Sequence, residues 1–431
     1  MNVAPEALPG EPDPPATSWL SKLGPGLITG AADDDPSGIA TYSQAGAQFG
    51  FGLLWTVLLT YPLMVGIQVV SAKIGRVSGH GLATNIRRHF PIWLLYGIVG
   101  LLLVANTINI AADVAAMGQA TTLIIGGPQQ LYALGFGLMS LLLQVFIPYR
   151  RYVRILKWLT LALLAYVATV LVVRVPWLSV LRETLLPPLS WQPAYLTTVV
   201  AVFGTTISPY LFFWQASQEV EDMHANPKAL ALKRAPAQVD ANFSRIKVDT
   251  AIGMGFSNMV AFCIILTTAV TLHAHGISDI ASSAQAATAL RPIAGEFAFL
   301  LFSLGIVGTG LLAIPVLAGS AAYAMAGAFG WEGSLELQLA NAKKFYGIII
   351  ASTLIGVALC FAPIDPIKAL YWSAVVNGVI SVPIMAVMMV MARRHSIMGK
   401  LVISRRLWML GWLCTGVMAL AVVAMFATFG N

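Results

Sequence analysis

The chain has 431 residues, of which 58% are hydrophobic and only 10% are charged, and its formal charge is +7. Soluble domains carry about 25% charged residues, so this composition excludes a water-soluble globular protein and indicates an integral membrane protein. Its apolar runs of about 20 residues match the thickness of a bilayer when they are helical, and they lack the alternation of β-barrel strands.

The first 20 residues form a tail that is rich in proline and acidic side chains. The tail has neither the basic start nor the apolar stretch of a signal peptide, so we expect a disordered cytoplasmic segment. Residues 21–431 then form the transmembrane domain.

Eleven apolar segments follow the tail, and each is long enough to be a membrane-spanning helix. Their approximate limits are 24–46, 50–73, 92–120, 129–148, 155–174, 194–217, 250–273, 284–325, 345–363, 367–392 and 405–429. The eighth segment is long enough to include a helix in the loop before it. We predict an all-α integral membrane protein with eleven transmembrane helices.

Basic residues alternate between successive loops. They cluster at 73–88, 150–157, 228–247, 343–344 and 393–406, whereas the other loops carry only Arg174, Arg182, Arg291 and Lys368. The positive-inside rule then places the N-terminus in the cytoplasm, and an odd number of spans places the C-terminus outside it. We expect a multi-pass protein of the cell inner (plasma) membrane. Basic clusters that alternate with apolar spans do not predict a nucleic-acid partner.

Two of the spans are interrupted by proline. The first carries "DDDPSG" at 33–38, with Pro36, and the sixth carries "GTTISPY" at 204–210, with Pro209. These breaks are five spans apart, and a five-helix unit that recurs must have inverted topology. Breaks at matching places in two halves indicate a transporter with a site at the membrane midplane. The inverted repeats are expected at about 24–174 and 194–392, with an extra helix at 405–429.

Three adjacent carboxylates at mid-membrane would cost about 8–10 kcal/mol if they faced lipid, so they must face water, a polar partner or a cation. Pro36 disfavours helix at Asp35, and unwound chain bares carbonyl oxygens that form a hard-cation site with a carboxylate. The alternative is that Asp35 only caps a helix that starts at Pro36 after an ordinary loop. Residues 24–32 are too few to span the membrane alone, which favours the cation site, and both roles are compatible.

The stretch "GPGLITGAADDDPSGIATYSQAGAQFGFGLLW", with "QVVSAKIGRVSGHGLA" ending at residue 83, resembles the first two helices of NRAMP-family divalent-metal transporters. The resemblance is also recognisable at 204–215. It implies a LeuT-type fold with a 5+5 inverted repeat and broken helices 1 and 6. It also implies that Asp35 is the metal-binding aspartate and that the protein is not an enzyme.

The sequence departs from the family pattern at five positions. The family's first helix carries Asp-Pro-Gly-Asn, and here the glycine becomes Ser37 and the metal-binding asparagine becomes Gly38. The family's sixth helix carries Ala-x-x-Met-Pro-His, and these residues become Thr205, Ser208 and Tyr210. This pattern resembles the NRAMP-related magnesium transporters.

The substitutions change which metal ions the site is expected to prefer. A methionine thioether is soft and favours Mn²⁺, Fe²⁺ or Cd²⁺, whereas the hydroxyl of Ser208 removes that preference. Loss of two side chains also widens the site, which suits Mg²⁺ because that ion dehydrates reluctantly and keeps several waters. We predict that the metal site consists of Asp35, Gly38, Thr205 and Ser208.

Further polar residues are candidates for the metal's hydration shell: Asp33, Asp34, Ser37, Tyr210, Asn377 and Ser381. Asp33 and Asp34 either bind the ion or make its vestibule electronegative. Asn377 and Ser381 lie one turn apart in the tenth span, and they either touch the hydrated ion or join neighbouring helices.

Proton coupling in the family uses the histidine of the sixth helix and an Asp-x-x-Glu pair in the third. Here the histidine is Tyr210, and the two acids fall on Asn109 and Ala112. Asp113 is acidic but displaced by one residue, about 100° around the helix. We predict weak or absent proton coupling, with Asp113 and Asn109 as a candidate proton or polar relay and a buried polar contact as the alternative role of Asp113.

The predicted function is import of divalent cations, Mg²⁺ and also Mn²⁺, by alternating access without proton coupling. The alternative is a proton-coupled Mn²⁺/Fe²⁺ importer. We expect no resident cofactor, since the metal is the substrate, and we expect a monomer in the lipid bilayer. Glu219, Glu221 and Asp222 after the sixth span either line the ion's exit or form a solvated loop face.

Overall fold

The computed structural model of the protein describes residues 25–147, 159–280, 282–362 and 365–429. Within these ranges the regular structure is helical throughout, which confirms the all-α class. The predicted N-terminal tail, the basic segment 150–157 and the start of the fifth predicted span lie outside the described residues.

The first half of the chain contains the predicted break in the first span. Its helices are α1 (Pro25–Asp33), α2 (Pro36–Phe49), α3 (Leu54–Ser78), α4 (Leu82–His89), α5 (Ile92–Ile125), α6 (Gln129–Phe146), α7 (Leu164–Val172) and α8 (Trp177–Leu185). The chain bends by 115° between the segments 161–172 and 177–185, which form α7 and α8.

The second half contains the predicted break in the sixth span. Its helices are α9 (Pro193–Thr206), α10 (Pro209–Ala225), α11 (Val239–Thr271), α12 (Ser283–Thr288), α13 (Arg291–Ala294), α14 (Ala298–Phe329), α15 (Lys343–Leu359), α16 (Pro366–Met391), α17 (His395–Met398) and α18 (Arg405–Thr428). Two short helices precede α14, as the length of the eighth predicted span indicates.

Eight of the described helical segments are long and apolar enough to cross a membrane, or nine if the bent pair α7–α8 counts as one span. The other predicted spans appear as shorter pieces: the first is broken into α1 and α2, and α15 has 17 residues. The number of eleven transmembrane helices stays a prediction.

Helix α11 differs most from its predicted span, because it begins at Val239 and not near residue 250. Its first turns carry charged side chains, which a search for apolar segments excludes. One of them, Arg245, forms an ion pair with the buried Glu219 of α10. Tertiary contacts therefore extend the helix beyond its apolar part.

The two broken helices lie at the centre of the molecule. Nearly all residues of the most apolar part of α9 and α10 are buried, whereas fewer than a third are buried in the corresponding parts of α6 and α18. In α10 the large side chains Tyr210, Phe212, Phe213 and Trp214 are at most 1% exposed. The interruption predicted from Pro209 is therefore surrounded by protein on all sides, as unwound backbone at this depth requires.

Candidate metal-transport site

The first break lies at Asp34 and Asp35, between α1 and α2. Asp35 has extended backbone and caps α2, whose first residue is Pro36. Its Oδ1 accepts hydrogen bonds from the backbone N–H of Gly38 at 2.8 Å and from the hydroxyl of Ser37 at 2.6 Å. Asp35 therefore has the capping role that the sequence left open, and this role occupies only one of its two oxygens.

The second break lies at Ile207 and Ser208, between α9 and α10. Ser208 has extended backbone, and its hydroxyl lies 2.8 Å from the carbonyl oxygens of both Gly204 and Thr205. A hydroxyl can donate its single proton to one of these carbonyls at a time. The oxygen of Ser208 therefore keeps lone pairs for another partner.

The two breaks meet at Asp35. The hydroxyl of Tyr210, the first residue after Pro209, lies 3.4 Å from Oδ2 of Asp35 and 3.2 Å from the carbonyl oxygen of Ala32. A Cβ placed on Gly38 would lie 3.1 Å from Oγ1 of Thr205. The structure thus brings together the predicted residues of both breaks at one buried position, where Asp35 and Thr205 are each 1% exposed.

A third helix, α5, also reaches Asp35. The side-chain amide of Asn109 donates a hydrogen bond to Oδ2 of Asp35 at 2.9 Å. Asp113 lies one turn further along α5 and is fully buried, and among the described residues neither of its carboxyl oxygens has a hydrogen-bond partner. The direct contact of Asn109 with Asp35 was not foreseen from the sequence, which considered Asn109 only as a relay.

Asp33 and Asp34 contact α11. The hydroxyl of Ser257 lies 2.7 Å from Oδ2 of Asp33 and 2.9 Å from Oδ1 of Asp34, and all three residues are at most 2% exposed. Ser257 was missed in the sequence, because it is one of many hydroxyl residues in apolar spans and no local pattern distinguishes it.

Helix α16 reaches the second break through Ser381, and Asn377 lies one turn earlier on the same helix. The hydroxyl of Ser381 lies 2.7 Å from the carbonyl oxygen of Ile207, so Ser381 joins α16 to the unwound chain. Asn377 is 1% exposed, and within the described ranges neither its amide nitrogen nor its oxygen has a hydrogen-bond partner. The free amide of Asn377 fits a water or a hydrated ion, since a buried amide without partners is costly.

The possible metal ligands around Asp35 are oxygen atoms of a carboxylate, of hydroxyls and of backbone carbonyls. In the part of the chain that the structure describes, no three His, Cys, Asp or Glu side chains converge as a metal cluster. A cation at Asp35 would complete its coordination with neutral oxygens, and Thr205, whose Oγ1 lies beside Gly38, is a candidate from the second broken helix. Such a donor set suits hard cations.

An all-helical membrane protein with two broken helices that meet at a buried carboxylate has the architecture of a secondary transporter. The chain matches the family described as Nramp, natural resistance-associated macrophage protein-like, over residues 26–428. The chain therefore belongs to the Nramp family, as its resemblance implies. It is a multi-pass plasma-membrane transporter of metal ions and not an enzyme.

Similar proteins include two curated relatives named divalent metal cation transporter MntH. The one from Yersinia enterocolitica is 30% identical over 312 residues, which cover 69% of this chain and 71% of the relative. The one from Pectobacterium carotovorum subsp. carotovorum is 29% identical over 314 residues, which cover 68% of each chain.

Solved structures share the fold. A manganese transporter of Eremococcus coleocola, in complex with an aromatic bis-isothiourea substituted compound, is 18% identical with a TM-score of 0.72, and the match covers 98% of this chain and 90% of that one. Mhp1, a nucleobase-cation-symport-1 family transporter, is 14% identical with a TM-score of 0.56, and the match covers 99% and 96% of the chains. These likenesses confirm the LeuT-type fold.

Proposed function

We propose that this protein imports Mg²⁺, and also Mn²⁺, by alternating access through the site at Asp35, and that no proton accompanies the metal. The observation that carries the proposal is the donor set at the junction of the two breaks. Where family members have methionine and asparagine side chains, this chain has the hydroxyl of Ser208 and the bare backbone of Gly38. Oxygen donors without a thioether favour a hard ion.

The free amide of Asn377 supports a hydrated ion. Mg²⁺ keeps several of its waters when it binds to protein, and those waters need hydrogen-bond partners in the site. Asn377 lies one turn from Ser381, which contacts the second break, and its buried amide offers both a donor and an acceptor. A hydrated cation at Asp35 would supply the partners that this amide lacks.

The membrane potential is sufficient to drive such a transporter. An inside-negative potential of about 100 mV provides about 2.3 kcal/mol for each charge, so a divalent ion gains about 4.6 kcal/mol. That free energy supports a gradient of about 10³-fold.

Absence of proton coupling follows from the residues that replace the family's titrating groups. Asn109 stands at one of the two acidic positions of the third helix, and its amide does not titrate. Tyr210 replaces the histidine, and its hydroxyl lies beside Asp35 and the carbonyl oxygen of Ala32. Both residues contact Asp35 as neutral groups.

Uptake into proteoliposomes that contain a Mg²⁺-sensitive dye tests the proposal at a fixed inside-negative potential. We expect Mg²⁺ entry with the wild type, no entry with Asp35→Ala, and wild-type entry with Asp240→Ala. Asp240 is a suitable control because it is exposed in the first turn of α11. Entry of Mn²⁺ but not Mg²⁺ would refute the proposed specificity, and unchanged Mg²⁺ entry with Asp35→Ala would refute the proposed site.

The second candidate is a proton-coupled Mn²⁺/Fe²⁺ importer. The names of the relatives and the buried, unpartnered carboxyl group of Asp113 favour it. A pH-sensitive dye inside the liposomes distinguishes the two functions, because coupled import acidifies the lumen as Mn²⁺ enters. Acidification that is lost in Asp113→Asn would establish the second candidate.

The proposed direction of transport rests on the orientation of the chain. The alternation of basic loops places the N-terminus in the cytoplasm and the C-terminus outside. A protease-sensitive tag at each end, tested in sealed vesicles of known orientation, checks this placement. Cleavage of both tags from the same side would contradict it.

A further inference from the structure

One face of α11 holds both broken helices at successive turns. The residues of this face are four positions apart, a spacing that places side chains on the same side of a helix. They are Arg245, Asp249, Gly253 and Ser257. Arg245 contacts α10, and the other three contact α1.

Asp249 binds the start of α1. Its Oδ2 accepts a hydrogen bond of 2.6 Å from the backbone N–H of Gly26, and Asp249 is fully buried. Gly26 is the second residue of α1, where a backbone N–H has no partner inside the helix. A carboxylate in this place also interacts favourably with the positive end of the helix dipole.

The middle of α1 touches α11 backbone to backbone. A Cβ placed on Gly30 would lie 2.7 Å from Cα of Gly253, and closer still to the carbonyl group of Gly253. Real Cβ atoms do not approach other atoms so closely, so any larger residue at position 30 would push the two helices apart. Small residues permit this kind of close approach between membrane helices.

The end of α1 and the neighbouring α10 are fixed to the same helix. Ser257 lies within hydrogen-bond distance of the carboxyl groups of Asp33 and Asp34 and can donate its proton to one of them at a time. Arg245 pairs with Glu219, which is fully buried and therefore does not form the solvated loop face considered in the sequence. From its first turn to its last, α1 thus rests on one face of α11.

We propose that Asp249 is the positioning residue of the cytoplasmic gate, because it holds α1 against α11 and so keeps α1 closed over Asp35. Asp35 is 1% exposed, so an ion bound there leaves only when helices separate. Helix α1 has nine residues and is connected to α2 through the non-helical break, which can act as a pivot. Helix α11 is continuous over 33 residues and also packs on α2, α3 and α7, so it stays in place while α1 moves.

The gate rests on the proposed orientation, which places α1 between Asp35 and the cytoplasm. Its test reads the position of α1 and does not depend on the transported metal. Thr29 is suited to this purpose because it lies in α1 and is fully buried. A cysteine in its place reacts with a membrane-impermeant maleimide only when α1 moves away from the helices that bury it, of which α11 makes the most extensive contact.

The experiment uses the full chain in inside-out vesicles, with Thr29→Cys as the reactive position and Cys263, Cys360 and Cys414 replaced by alanine. We expect Asp249→Ala to raise the labelling rate about 10-fold, the order expected for loss of a hydrogen bond to a charged acceptor. We expect Asp249→Asn to label more slowly than Asp249→Ala but faster than the parent, because the amide oxygen still accepts from Gly26 but carries no charge. Thermal unfolding of each purified variant in detergent confirms that it is folded.

A second variant opens the same gate without removing a polar group. Gly30→Ala places a methyl group against Gly253, and we expect it to raise the labelling rate as well. The matched controls are Asp240→Ala, an exposed acid of the same helix, and Gly97→Ala, where a Cβ would meet nothing within 4 Å. Both controls are expected to label at the parent rate.

Three outcomes would overturn the proposal. They are a labelling rate within twofold of the parent in Asp249→Ala, the same result in Gly30→Ala, and labelling of Asp249→Asn as fast as that of Asp249→Ala. The last result would show that the bond to the N–H of Gly26 is not what holds α1. These outcomes are independent of the transported metal. A protein that does not carry Mg²⁺ but shows the expected labelling would refute the proposed function and still support the gate.

Discussion

Gly38 and Thr205 lie next to each other at the junction of the two breaks, so we expect substitutions at these two positions to affect each other. A Cβ on Gly38 would lie 3.1 Å from Oγ1 of Thr205 and 3.4 Å from a ring carbon of Tyr42. Gly38→Asn, which introduces the family's asparagine, adds three more heavy atoms beyond that Cβ. Overpacking of this kind costs about 1–3 kcal/mol.

The family combines an asparagine at the position of Gly38 with an alanine at the position of Thr205. We therefore expect Gly38→Asn alone to lower the thermal stability and to abolish uptake, and Gly38→Asn with Thr205→Ala to recover both. The double variant should be more stable than the sum of the single effects by about 1–2 kcal/mol. It should also prefer Mn²⁺ over Mg²⁺ by about 10-fold relative to the wild type, because the asparagine oxygen replaces a water of the hydrated ion.

The assay combines thermal unfolding in detergent with the ratio of Mn²⁺ to Mg²⁺ uptake in proteoliposomes. The matched control is Thr206→Ala, because the hydroxyl of Thr206 is buried and bonds at 2.8 Å to the carbonyl oxygen of Val202 in its own helix. Recovery of Gly38→Asn by Thr206→Ala, or full stability and activity of Gly38→Asn alone, would refute the reasoning.

Three further predictions concern other parts of the molecule. Ser208→Met introduces a soft ligand and should raise the ratio of Mn²⁺ to Mg²⁺ uptake about 10-fold; an unchanged ratio would exclude Ser208 from the metal site. Arg245→Ala leaves the fully buried Glu219 without its partner and should destabilise the protein by about 3 kcal/mol in chemical unfolding, with a smaller loss in Arg245→Met/Glu219→Gln; equal losses would contradict the role of the unpaired charge. Burial and the nearby Arg88 and Lys233 lower the pKa of His80 in the loop after α3. Unfolding therefore takes up a proton at this histidine, and the stability of the protein falls as the pH drops below about 6.5. The decrease in melting temperature between pH 7.5 and 5.5 should be smaller in His80→Gln than in the wild type, and an equal decrease would contradict this role of His80.

The helix breaks were predictable because they depend on local chemistry. Pro36 and Pro209 each begin a helix in the structure, and the residues before them are non-helical, as the restriction on residues that precede proline requires. The cap at Asp35 is equally local, since its partners Ser37 and Gly38 follow within three residues. The resemblance to the NRAMP family provided the fold, which the structure confirms, and the prediction that Asp35 binds the metal.

The partners of the acidic run were not predictable, because they come from distant parts of the chain. Asn109 lies 74 positions from Asp35, and Ser257 lies 224 positions from Asp33. Such contacts depend on how α1, α5 and α11 pack, and a single sequence contains no pattern that pairs these polar residues. The early start of α11 was missed for a related reason, since its charged first turns are stabilised by α10.

The three consecutive aspartates have different roles because the helix ends among them. Asp33 and Asp34 bond to Ser257 of α11, whereas Asp35 bonds to α2, to Asn109 of α5 and to Tyr210 of α10. Two acids therefore belong to the contact that holds α1 in place, and the third belongs to the junction of the two breaks. Since the three share one stretch of backbone, we expect a change in how Asp35 is held to affect the contact between α1 and α11. The run of acids therefore places the proposed metal site next to the proposed gate.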